Sequence, residues 1–123
     1  MITAIEAWEL ANSDKQTVII DIRTTEEWKE TGIPKLENKV FTITSHFKPN
    51  MNLNHDFLLE LGKVVHDKDT KVIFICKTNG RSNIAANLAL QHGYKNSIVV
   101  IDGFEGNSVG LGWKASGLPY KVM

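Results

Sequence analysis

The stretch Lys71-Val72-Ile73-Phe74-Ile75-Cys76-Lys77-Thr78-Asn79-Gly80-Arg81-Ser82 decides the fold. Its first half is β-branched, nearly continuous in apolar character and short. A strand of that kind is buried on both faces, which means a parallel sheet covered by helices. Its second half turns polar at Cys76, passes the turn dipeptide Asn79-Gly80 and enters a helical pattern. Two other runs repeat the first half: Thr17-Val18-Ile19-Ile20-Asp21-Ile22 and Ser97-Ile98-Val99-Val100-Ile101. Val40-Phe41-Thr42-Ile43 is a weaker fourth candidate.

Helical patterns fill the gaps. Thr3 with Glu6, and Thr24 with Glu27, have capping-box spacing and mark two helix starts. From Asn54 to His66, Phe57, Leu58, Leu61, Val64 and Val65 fall on one helical face. From Arg81 to His92, Ile84, Ala85, Leu88 and Ala89 form another, and Gly93 supplies the stop. Thr44 to Asn52 reads as an irregular polar loop. The glycine-rich segment Gly103 to Gly117 is expected to wrap the surface and end in a short helix or turn near Trp113. Strand, helix, strand, helix, strand is the order of a doubly wound α/β domain, with residues 1–123 as one unit.

Composition agrees with a folded domain. Of 123 residues, 42% are hydrophobic and 23% charged. A chain this long buries roughly two-thirds of its unfolded surface, enough core to stand as a monomer. Lys plus Arg is 14 and Asp plus Glu is 14, so the formal net charge is zero. That balance argues against broad electrostatic binding of nucleic acid or an anionic membrane, though not against a small basic pocket. One cysteine allows no intramolecular disulfide and fits a reducing compartment. Met1 to Leu10 has neither a basic start nor an apolar h-region, so no signal peptide is expected and the location read is cytoplasmic.

Open α/β sheets bind ligands beyond the carboxyl ends of their strands. Asp21 with Arg23, Cys76 and Asp102 stand at such ends. A lone cysteine is most often a buried structural thiol. The loop after Cys76 weighs the other way. Its successive N–H groups can converge on one point, the following helix start adds positive potential, and Lys77 and Arg81 are cations. These features favour a thiolate, which is the nucleophilic form. The loop alone therefore predicts a nucleophilic cysteine that handles an anionic substrate.

These residues carry a resemblance over nearly the whole chain. Asp21-Ile22-Arg23-Thr24-Thr25-Glu26-Glu27-Trp28 is similar to the Asp-x-Arg-x-x-x-Glu-aromatic signature of the single-domain rhodanese-like sulfurtransferases. Gly32-Ile33-Pro34 resembles that family's Gly-His-Ile-Pro without the His, and Lys35-Leu36 stands where an Ala is usual. Cys76 to Ser82 resembles its Cys-x-x-x-x-Arg-Ser. Gly93-Tyr94, Asp102-Gly103-Phe104-Glu105-Gly106, Gly112-Trp113 and Gly117-Leu118-Pro119 follow in order. Each motif is weak alone, and together they are specific.

The resemblance implies a rhodanese-like α/β domain around a small, mostly parallel sheet. It also implies sulfur transfer through a persulfide on Cys76. A small anionic donor such as thiosulfate would supply the sulfur, and a thiophilic acceptor, cyanide or a thiol, would take it. The N–H groups of Lys77, Thr78, Asn79, Gly80, Arg81 and Ser82 would stabilise the persulfide. The Arg81 side chain would brace the loop or steer the anion, and Lys77 would attract the donor. Asp21 and Arg23 would support the site structurally, Arg23 pairing with Glu27 or a neighbouring carboxylate. With no second cysteine, sulfur must leave to an external acceptor. No cofactor is implied, and no metal: His46, His55, His66 and His92 lack ligand spacing.

From Cys76 to Arg81 the loop has six residues. In related dual-specificity phosphatases it is one residue longer and fits phosphate, so this length favours sulfur over phosphate or arsenate. The other readings are a catalytically silent binding module and a cysteine-dependent phosphatase or arsenate reductase. Glu26-Glu27 reads as no more than a helix first turn. Trp8 and Trp28 read as core or rim, Trp113 as packing for the chain end, Asp102-Gly103 as a turn and Phe104 as a candidate pocket wall.

Overall fold

A computed structural model describes residues 1–123. In chain order the elements are α1 (Ala4–Ser13), β1 (Val18–Asp21), α2 (Thr25–Thr31), β2 (Ile33–Pro34), β3 (Val40–Thr42), β4 (His46–Phe47), β5 (Asn52–Leu53), α3 (Phe57–Val64), β6 (Val72–Ile75), α4 (Gly80–Gln91), β7 (Ser97–Val99), α5 (Gly112–Ala115) and β8 (Tyr120–Lys121). The central sheet has the order β3-β1-β6-β7, and all its pairings are parallel. Ile2 adds an isolated parallel bridge to Val100 at its edge. No helix is long and apolar enough to cross a membrane.

Period two along the strands divides the core. Ile19, Ile73 and Ile75 pack with Ala4, Ala7, Ala11, Phe104 and Trp113 on one face. Ile20, Ile22, Val72 and Phe74 pack with Phe57, Leu61, Ala85 and Ala89 on the other. The continuous apolar runs are thus consumed on both sides, and the mixed α/β architecture follows from them. Each fully buried large side chain contributes roughly 1.5–3 kcal/mol, so the two β6 faces together are a main source of stability.

Both capping boxes form: Thr3 and Thr24 accept the amides of Glu6 and Glu27, whose carboxylates return to the cap. Three expectations need correction. The Thr44–Asn52 segment is not wholly irregular, because β4 and β5 make a small hairpin with His46 opposite Leu53 and Phe47 opposite Asn52. The helix expected from Asn54 starts only at Phe57, because Asn54 Oδ1 accepts the Asp56 amide and holds a turn there. In α4 the buried face is Ser82, Ala85, Ala86 and Ala89, while Ile84 is 48% exposed. Small side chains let this helix lie close on the sheet, which turns Ile84 outward.

The Gly32-Ile33-Pro34 motif forms β2, paired antiparallel with β8 near the chain end. Trp113 is fully buried and donates from Nε1 to Pro119 O at 2.6 Å. Asp102 accepts the amides of Ala4 at 2.8 Å and Gly112 at 3.0 Å. It pins the start of α1 to the glycine-rich segment.

Candidate active site

The parallel order places the carboxyl ends of β3, β1 and β6 side by side. Thr44–His46, Ile22–Thr24 and Cys76 therefore share one edge of the sheet. Cys76 is 1% exposed, held under the loop that follows it. The Ser82 amide, in the first turn of α4, points at its sulfur with N···Sγ 3.4 Å. The amides of Lys77, Thr78 and Asn79 donate to no backbone group. Those of Gly80 and Arg81 lie in the helix's first turn, where no intrahelical acceptor exists. Asn79 is tied down by Nδ2 donating to Ile101 O at 2.8 Å. The Ser82 amide thus meets the sulfur, the other loop amides are left without backbone acceptors, and Lys77 is exposed on the loop. Ser82 Oγ is buried without a hydrogen-bond partner. None of the three surface cavities is lined by Cys76.

The floor of this loop was not legible beforehand. Phe104 N donates to Cys76 O at 2.8 Å and Glu105 N to Lys77 O at 3.0 Å. Gly103, at φ +62°, lies so close to the carbonyls of Lys77 and Thr78 that a Cβ would collide with both. The turn read at Asp102-Gly103 is thus also the surface on which the cysteine loop rests. Phe104 is fully buried beneath it, not a pocket wall.

Of the two partners expected for Arg23, Glu27 or a neighbouring carboxylate, the structure has the second, Asp21. Its Nε donates to Asp21 Oδ1 at 3.0 Å and its Nη2 to Oδ2 at 2.8 Å. Nη2 also reaches Gly32 O at 2.7 Å, Nη1 reaches Thr31 Oγ1 at 2.7 Å, and the guanidinium lies 4.1 Å from the Phe104 ring centroid. Both members of this pair are fully buried.

Glu27 instead pairs with Arg81, whose Nη1 and Nη2 donate to Oε1 and Oε2 at 2.7 and 2.8 Å. Glu27 does more than begin a helix, since the capping carboxylate also clasps the last residue of the cysteine loop. Burial acts to raise its pKa, but hydrogen bonds from Arg81 and Thr24 outweigh that and hold it at about 2. The same clasp raises Arg81, with further support from Cys76 and Asp21 charge. The capping spacing explained Glu27 so completely that its second partner, 54 residues on, left no local signal.

His46 is a further residue that the sequence did not single out. It sits half-buried at the start of the hairpin, with Nδ1 2.8 Å from Ser45 Oγ. Burial first, then the Arg81 charge, holds its pKa below the usual imidazole range.

The family profile described as STR4 middle domain matches residues 1–123. Among curated proteins, the chain is 38% identical over 121 residues to uncharacterized protein RP600 of Rickettsia prowazekii, covering 98% of this chain and 95% of that one. It is 27% identical to the Arabidopsis thaliana rhodanese-like domain-containing protein 4, chloroplastic, over 96% of this chain and 25% of that protein. Among solved structures, Rv0390 from M. tuberculosis superposes with a TM-score of 0.85 at 32% identity, covering 98% and 95% of the two chains. The polysulfide-sulfur transferase of Wolinella succinogenes shares the fold, with a TM-score of 0.77 at 21% identity over 100% of this chain and 78% of that one. The parallel sheet, the two-sided core and these likenesses agree: the chain belongs to the STR4 middle-domain family and has the rhodanese-like fold.

Proposed function

We propose that this protein is a sulfurtransferase that carries sulfane sulfur as a persulfide on Cys76. The observation that carries the reading is the closed six-residue loop, with the Ser82 amide 3.4 Å from Cys76 Sγ and the amides of Lys77, Thr78 and Asn79 free to donate to an anion. In the first half-reaction the Cys76 thiolate attacks the outer sulfur of a donor such as thiosulfate. The donor's S–S bond breaks, its electron pair leaves with sulfite, and the sulfur stays on Cys76. In the second, an acceptor nucleophile attacks that outer sulfur and the electron pair returns to Cys76 Sγ.

The N–H groups act where negative charge resides, on the terminal sulfur, and being fixed by the fold they need no reorganisation. The α4 dipole adds to them. The Ser82 hydroxyl, buried without a partner, is a further donor on the residue whose amide meets the sulfur. Arg81, held by Glu27, keeps the loop closed and contributes positive potential, while exposed Lys77 draws the anionic donor in. Asp21 and Arg23 shape the edge from beneath and touch no substrate. The whole of residues 1–123 is the proposed unit, working without a cofactor. The sulfurtransferase among the structural neighbours supports the chemistry by likeness of fold.

Intact mass before and after thiosulfate tests the reading. The expected result is a gain of one sulfur, removed by cyanide with release of thiocyanate and absent in Cys76→Ser. No gain with thiosulfate or an organic persulfide donor would overturn it, and turnover of a phenyl phosphate ester would then favour phosphatase chemistry. Folding of Cys76→Ser, checked by circular dichroism, separates a lost nucleophile from a lost structural thiol.

A further inference from the structure

The end of the sheet away from Cys76 carries a groove of about 580 Å³ beside α3. Its lining comes from α3 and from the segments that lead into β6 and β7, the amino ends of those parallel strands. The floor is apolar: Val65 and Tyr94 are 3% and 2% exposed, and Leu58 is half-buried. Tyr94 is fixed there by its hydroxyl, which donates to Val65 O at 2.9 Å. Leu59, also in the lining, is 63% exposed. Gly62 stands among them, exposed, in the body of α3. Glycine is the poorest helix former after proline. Yet a Cβ at this position would meet only the Tyr94 hydroxyl oxygen, at 3.9 Å. Packing within the chain therefore does not demand the glycine, and what the missing side chain provides is the depth of the groove.

Charge is segregated at the same place. Lys63, Lys68, His66 and His92 line the groove and no carboxylate does, in a chain whose formal net charge is zero. Lys68 is held at the groove by donating to His92 O and by lying 5.2 Å from the Tyr94 ring centroid. The nearby acids are engaged elsewhere: Asp69 with Lys95, Glu60 with Asn54, and Asp67 with the Asp69 amide. We propose that this groove docks an acidic amphipathic helix of a partner protein. From Leu58 to Val65 the chain of α3 rises about 10 Å, two helical turns. That length matches apolar anchors at i, i+3, i+4 and i+7 of a partner helix. Carboxylates beside those anchors meet the two lysines. A flat anionic bilayer would leave the concave floor unfilled. Cys76 stands at the carboxyl end of β6, so a partner docked at the amino end leaves the cysteine loop open. The proposal is independent of the sulfur-transfer reading.

The probe is a synthetic helical peptide with leucines at that spacing and glutamates beside them, titrated into isotope-labelled protein while amide shifts are followed by NMR. Saturable shifts are expected at Leu59, Gly62, Lys63 and His66, with Lys77 to Ser82 unmoved. Gly62→Leu fills the groove and should raise Kd about tenfold or more, the size of a lost anchor contact. It should not lower Tm, because leucine is the better helix former. Lys63→Glu with His66→Glu should weaken binding comparably and admit the same peptide with lysines in place of glutamates. Shifts absent or centred elsewhere would overturn the proposal. So would equal binding of the two peptides by the unsubstituted protein, or a Kd that Gly62→Leu leaves unchanged. Binding to phosphatidylglycerol vesicles without binding the peptide would make this face a membrane surface instead. Concentration-dependent shifts at the same residues without peptide would make it a contact between copies of the chain, and either result overturns the partner-helix assignment.

Discussion

Two arginines stand at the same sheet edge, each gripping a carboxylate through two of its nitrogens, yet they do different work. Arg23 has all its directions occupied: Asp21, Thr31, the Gly32 carbonyl and the Phe104 face. Its side chain and that of Asp21 are 0% exposed. Arg81 has one partner, Glu27, and its side chain is 15% exposed. A closed, fully desolvated network can only hold structure, because nothing is left to meet a ligand. A clasp at the rim of an anion cradle holds structure and projects charge. Residue type therefore says little about an arginine's role, and the number of its directions already taken says most.

The comparison breaks first at Arg23. Arg23→Ala strands the Asp21 carboxylate in the core, and removal of one member of a buried pair costs about 3–5 kcal/mol. Urea titration should show that loss or outright unfolding. Replacing both, Asp21→Leu with Arg23→Met, should recover most of it, since no unpaired charge remains. A double variant no more stable than the single one would mean that Thr31 and Gly32 depend on the guanidinium itself.

Arg81→Ala should cost less, about 1.5–3 kcal/mol, the range for a charge-assisted hydrogen bond. Its larger effect falls on transfer, with kcat/KM for thiosulfate reduced at least tenfold, a loss of about 1.4 kcal/mol of transition-state stabilisation. Steady-state thiocyanate release measures it, and unchanged kinetics would make Arg81 as structural as Arg23.

Acid sharpens the contrast. Glu27 has its folded pKa depressed from 4.5 to about 2. Its contribution to stability is fully present above pH 4.5 and fades as pH falls toward 2. Glu27→Gln should therefore lose most stability above pH 4.5, where the carboxylate is charged, and flatten the acid limb between pH 4.5 and 2, so that the two proteins converge at the acid end. Urea midpoints taken from pH 6 to pH 2.5 test this, and parallel curves for the two proteins would contradict it.

The smallest effect is expected at Lys77, exposed on the loop crest. Lys77→Ala should leave stability within about 0.5 kcal/mol, as exposed substitutions usually do. The KM for thiosulfate should rise a few-fold, and that rise should shrink at high salt because the attraction is screened. A salt-independent effect would place the ammonium in direct contact with the donor.

Much of this was legible in the chain itself, because it rests on local periodicity. The apolar runs at Val18–Asp21, Val72–Ile75 and Ser97–Val99, the capping pairs at Thr3 and Thr24, and the turn at Asn79-Gly80 are each written within a few residues. They dictate strand, helix and loop order, and with it the rhodanese-like sheet and Cys76 at a strand's carboxyl end. The tertiary structure alone decided which charges meet. Glu27 finds Arg81 across 54 residues, while Arg23 turns to Asp21 two residues away. It alone put Gly103 beneath the loop and lined up Ser45, His46 and Ile22, since β3 and β1 are paired in register. The physical reason is range: backbone preference and burial period act over one helical turn or one strand, but pairing among equivalent carboxylates and guanidiniums is settled by which of them the packed sheet brings within 3 Å.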